Sequence, residues 1–130
     1  MNEKIRILVV EDDARTRELI GAMLTHTGFE VTYAHDGEKA LIATHQKKFG
    51  VILMDIFMPE INGEETARTL THHHKDKTPI IAVTASKIEP GRLVYLGMSE
   101  LIPKPVDFRA LLEAIQRALA VSMPSSLATA

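Results

Sequence analysis

Short apolar runs alternate along the chain with longer stretches in which apolar side chains return every three or four positions. Residues 5–10 are β-branched and almost wholly apolar, the pattern of a strand covered on both faces. Asp13 can accept a backbone N–H at the start of a helix in which Leu19, Ile20, Met23 and Leu24 share one side,. Gly28 stops that helix, and residues 29–34 read as a second strand,. Asp36 caps a second helix to about His45, with Ala40, Leu41 and Thr44 inward, and residues 51–54 make a third buried strand. Asn62 and Glu65 have capping-box spacing ahead of a third helix that fades in His72-His73-His74,.

A fourth strand at residues 80–84 is set off by Pro79,. Pro90-Gly91 breaks any helix starting at Ser86, which confines the fourth helix to about residues 92–96,. Leu101-Ile102 makes a short fifth strand. Asp107 caps a last helix whose Phe108, Leu111, Leu112, Ile115 and Leu119 recur at helical spacing,. Strands alternating with helices imply right-handed βαβ units, and so an α/β fold with a doubly wound parallel sheet of five strands. One domain is expected over residues 1–121, with 122–130 as a flexible tail or linker,.

Composition narrows the functional classes. The chain has 130 residues, 45% of them hydrophobic, enough for a single packed domain,. A formal net charge of −2 offers no basic face for direct nucleic-acid binding,. There is no cysteine, hence no disulfide, thiolate metal site or thiol nucleophile,. No run reaches the roughly 18 apolar residues of a membrane span, and the N-terminus lacks a secretory signal pattern. The expectation is a cytoplasmic domain without direct membrane insertion.

Ligands of such sheets bind beyond the carboxyl ends of the strands, and the polar residues gather there. Glu11-Asp12-Asp13 follows the first strand, Asp55 the third and Lys104 the fifth, while Thr84 ends the fourth. Converging carboxylates repel unless a cation intervenes, and an all-oxygen set suits Mg²⁺. A carboxylate can attack phosphorus, and lysine and threonine can donate to phosphoryl oxygens. Each has an ordinary alternative: Asp13 as a helix cap, Thr84 as a strand end, Lys104 as surface. Asp55 is harder to explain away, because it lies between Val51-Ile52-Leu53-Met54 and Ile56-Phe57-Met58-Pro59, a costly place for an unpaired charge.

Four motifs carry a resemblance over residues 5–120. They are Ile7-Leu8-Val9-Val10-Glu11-Asp12-Asp13, Leu53-Met54-Asp55-Ile56-Phe57-Met58-Pro59 with Asn62-Gly63, Pro79-Ile80-Ile81-Ala82-Val83-Thr84-Ala85, and Pro103-Lys104-Pro105. Together they resemble the response-regulator receiver family. The resemblance implies a flavodoxin-like, CheY-like fold with strand order 2-1-3-4-5. It implies that Asp55 accepts a phosphoryl group from a phosphohistidine on a sensor histidine kinase or histidine phosphotransfer protein. Glu11, Asp12, Asp55 and the backbone carbonyl of Phe57 would hold Mg²⁺, and Thr84 and Lys104 would meet the phosphoryl group. A downstream protein or attached domain would read the outcome. A cis Lys104-Pro105 peptide is also implied, and Asp13, one place past the family's acid pair, stays a helix cap.

Two departures bear on switching. Leu101 stands where the family has tyrosine or phenylalanine, three residues before the lysine, and the segment from Thr84 to Lys104 is about two residues short,. One rival reading is a degenerate receiver acting as a phosphorylation-independent interaction module. An aspartyl phosphohydrolase would want an acid two places after Asp55, where Phe57 stands. No G-x-G-x-x-G follows the first strand, which removes a dinucleotide site. The adjacent histidines at 72–74 point apart on a helix and make a poor metal site. The methionines at 23, 54, 58 and 98 are expected to pack. The chain fits a stand-alone regulator and equally a receiver cut from a membrane-bound hybrid kinase.

Overall fold

Residues 4–56, 66–67 and 78–122 are described by the structure, a computed structural model. Strand β1 (Arg6–Val10) buries four consecutive apolar residues, because parallel strands pair on both sides and are covered above and below. It lies between β2 (Glu30–Ala34) and β3 (Val51–Met54), followed by β4 (Ile80–Thr84) and β5 (Glu100–Pro103). All pairings are parallel, and the order is β2-β1-β3-β4-β5, as the resemblance implied. The central strands β1, β3 and β4 carry the apolar runs, whereas β2 and β5, at the edges, are only partly buried.

Strand side chains alternate between faces, and the sheet accordingly separates two apolar layers. Ile7, Val9, Leu53, Ile81, Val83 and Ile102 pack on one side with Ile20 and Leu24 of helix α1 (Ala14–Thr27) and Leu111 and Ile115 of the C-terminal helix. Leu8, Val10, Ile52, Met54, Ile80 and Ala82 pack on the other with Ala40 and Ala43 of α2 (Gly37–Gln46). Leu93, from α3 (Pro90–Tyr95), packs against this second layer. The C-terminal helix is α4 (Phe108–Ser122).

Caps fall where expected. Asp13 accepts the Thr16 amide at 2.9 Å, Asp36 the Lys39 amide at 2.8 Å and Asp107 the Arg109 amide at 3.0 Å. Gly28 closes α1 at φ 113°, with its own amide on Thr25 O and the Phe29 amide on Leu24 O, the paired bonds of a Schellman ending. The Lys104-Pro105 peptide is cis.

Two helical expectations are corrected. Pro90-Gly91 opens α3, with Pro90 in its first turn. An N–H is unneeded there and the ring presets φ, so proline starts this helix where it would have broken an interior. Leu19 is 55% exposed, because Ile20 and Leu24, one turn apart, take the sheet-facing stripe of α1,. The expected helix from Asn62 and Glu65, the three histidines, Met58 and the tail from Met123 onward lie outside the described residues. Thr66 and Ala67 are helical and buried.

Candidate functional site

Hydrogen bonds continuing the ladder past the strand ends fix the polar residues at one rim. The Glu11 amide donates to Ala34 O at 3.0 Å, the Asp55 amide to Val10 O at 3.1 Å and the Lys104 amide to Thr84 O at 3.0 Å. Each residue is therefore held by the neighbouring strand. Carried one step beyond the strands, the side-chain alternation sends Glu11 and Asp55 toward the α1/α4 layer and Thr84 toward the α2/α3 layer,.

Carboxylate oxygens of Glu11, Asp12 and Asp55 lie within 4.8 Å of one another. Glu11 is 2% exposed and Asp55 6%, whereas Asp12 opens to solvent. Lys104 stands between the buried pair, its Nζ 2.8 Å from Asp55 Oδ2 and 2.7 Å from Glu11 Oε1. Glu11 Oε2 accepts the Asp13 amide at 3.2 Å. Glu11 Oε1 is sealed from water and has the Lys104 ammonium, at 2.7 Å, as its partner.

Burial pushes the Glu11 carboxyl above its usual range, with Lys104 pulling the other way,. Burial also works to lower Lys104, but its contacts with Asp55 and Glu11 outweigh that effect and hold the ammonium above the ordinary lysine value. Two buried carboxylates thus share one ammonium, with the Asp12 carboxylate close beside them. The residues fit a hard divalent cation: every donor is oxygen, the three carboxylates converge, and the exposed acid leaves room for water ligands,.

The other expected residues sit as follows. Thr84, 1% exposed, ends β4 next to the rim and accepts the Ser86 amide on its hydroxyl at 3.3 Å. Leu101 lies on β5, half-buried against the α2/α3 layer with Ile88 and Leu93, away from the acids. Phe57 lies outside the described residues. Sequence reasoning missed Arg17, whose Nη1 donates to the Glu11 backbone carbonyl at 2.9 Å. The only signal for it is its place one turn into α1, within reach back to the strand end. Also missed is a cavity of about 240 Å³ beside Lys104, between Leu19 and Ile20 of α1 and Val106 and Phe108. The exposed Leu19 is part of its wall.

A family model described as the response regulator receiver domain matches residues 7–116. The transcriptional regulatory protein CpxR of Klebsiella pneumoniae is 37% identical over 116 residues, spanning 88% of this chain and 49% of that protein. The chain therefore spans about half the length of the curated regulator it matches. Hybrid signal transduction histidine kinase I of Dictyostelium discoideum is 35% identical over 120 residues, 85% of this chain and 7% of the kinase. Among solved structures, response regulator TrrA of Thermotoga maritima in complex with Mg²⁺-BeF superposes with a TM-score of 0.80 at 33% identity. That match covers 88% of this chain and 99% of the other.

Proposed function

The chain belongs to the response regulator receiver domain family of two-component signalling, and from that premise we propose that Asp55 is its phosphoryl acceptor. The observation carrying this reading is Lys104 Nζ at 2.8 Å from a buried Asp55, at the rim where the carboxylates converge. Glu11, Asp12 and Asp55 would hold Mg²⁺,, and the family resemblance adds the backbone carbonyl of Phe57. When bound, the cation supplies charge neutralisation to the carboxylates and to the phosphoryl oxygens. The TrrA complex with Mg²⁺-BeF supports both choices by similarity.

An Asp55 carboxylate oxygen attacks phosphorus, the bond from phosphorus to the donor's imidazole nitrogen breaks, and its electron pair stays on that nitrogen. The product is an acyl phosphate. Thr84 and Lys104 donate to the phosphoryl oxygens. The donor is a sensor histidine kinase or a histidine phosphotransfer protein, and a downstream protein or attached domain reads the modified state. The role is regulatory: the domain promotes its own phosphorylation and slow dephosphorylation. Residues 1–121 form the receiver unit and 122–130 a tail or linker, working in the cytoplasm.

Incubation with Mg²⁺ and acetyl phosphate is expected to add one phosphoryl group by mass spectrometry. Asp55→Asn should remove the gain. An unmodified wild-type chain would instead leave a phosphorylation-independent interaction module, and an unchanged gain in the variant would remove Asp55 from the acceptor role. The presence of Glu11, Asp12, Asp55, Thr84 and Lys104 together argues against that module.

A further inference from the structure

We infer that Arg17 is a positioning residue for the acidic rim, aiming Asp12 through the peptide group that follows Glu11; this rests on the proposed cation site. Arg17 lies in α1, and its own amide makes the helix bond to Asp13 O at 2.9 Å. Its guanidinium turns back, and Nη1 donates to the Glu11 carbonyl at 2.9 Å in a half-buried position. The same residue's amide is bound to Ala34 O in β2. Both backbone groups of Glu11 are therefore tied, one to the sheet and one to the helix.

The Glu11 carbonyl and the Asp12 amide share one rigid plane. Holding that carbonyl fixes the direction in which the chain delivers Asp12, the exposed acid of the trio. The loop is braced on its other side by the Asp13 amide on Glu11 Oε2 at 3.2 Å and by the Asp13 cap on Thr16. Without the guanidinium, the Glu11 carbonyl turns to water and the Asp12 backbone gains a degree of freedom. Groups that orient metal ligands from behind commonly change affinity without touching the metal.

The test uses Mg²⁺ itself, titrated by amide NMR shifts on the full chain. Arg17→Met, which keeps the stem and loses the donors, is expected to weaken Mg²⁺ binding about tenfold. Arg17→Lys should recover part of the loss. Acetyl phosphate labelling should separate the parameters: the Mg²⁺ concentration for half-maximal rate rises, while the rate at saturating Mg²⁺ stays near wild type. Ala22→Gly, on an exposed position of α1, controls for helix loosening and should leave the affinity unchanged. Melts without Mg²⁺ measure stability separately. If Arg17→Met does not fold, Arg17→Gln replaces it, with a smaller loss in the same direction expected. Equal affinity in wild type and the variant that folds overturns this inference alone. A wild-type chain with no response at the acidic rim overturns the proposed function and this inference with it.

Discussion

Lys104 balances two buried acids with one charge, and its removal should be felt twice. Lys104→Met leaves Glu11 and Asp55 facing each other without their ammonium. We expect a loss of about 3 kcal/mol in urea unfolding at neutral pH, together with a larger Mg²⁺-induced rise in melting temperature than wild type shows, because the cation then replaces the missing charge. Asp13 gives a pH-dependent counterpart. The Thr16 hydroxyl, at 2.6 Å, and the Thr16 amide donate to its carboxylate and hold its pKa below the ordinary aspartate value. A folded-state pKa below the unfolded one stabilises above the unfolded value, and the benefit disappears as pH falls through the folded value. The stability gap between wild type and Asp13→Ala should therefore be present at neutral pH and shrink on acidification, read from urea midpoints across the acid range. The acids and Lys104 were legible in the sequence because several strands deliver polar residues to the same sheet edge, although each residue alone has an ordinary alternative,. Arg17 was not, since an arginine within a helix looks the same in sequence whether it is solvated or turned back onto a carbonyl.

Two glycines separate backbone strain from space. Neither Gly28 nor Gly91 has an atom within 4 Å of where a Cβ would stand. Gly28, however, sits at φ 113°, and Gly91 lies within α3. Gly28→Ala should destabilise by about 1 kcal/mol, whereas Gly91→Ala should stabilise by about 0.5 kcal/mol, both measured by denaturant unfolding. Equal signs would show that the αL requirement at Gly28 is not what ends α1. The helix starts at Asp13, Asp36 and Asp107 and the stop at Gly28 could be read because each uses a side chain or a φ value that few alternatives supply. Pro90 was misread because proline's effect depends on position within the helix, which the local sequence does not fix. Leu19 was misplaced for a related reason: the angular width of a buried stripe is set by the surface it meets.

Across the molecule, the parallel sheet makes stability depend on both apolar layers. Leu53 is 1% exposed in β3 and packs with Ile81 and Leu111 in the α1/α4 layer. Leu53→Ala should cost about 3 kcal/mol in chemical unfolding. The runs of apolar residues announced which strands are central, but strand neighbours came only through the family resemblance. Periodicity records burial, and order across a sheet is a long-range property that no local window contains. The alternation at the rim has a consequence of its own. Any charge added at Asp55 arrives on the side of the sheet facing α1 and α4, whereas Leu101, Ile88 and Leu93 rest against the opposite side. On the proposed reading Thr84, buried at the end of β4 and turned toward that opposite side, carries the change across,. Thr84→Ala, which removes the hydroxyl and a methyl, should leave amide NMR shifts around Asp55 responsive to phosphorylation while those of Ile88, Leu93 and Leu101 stay unmoved.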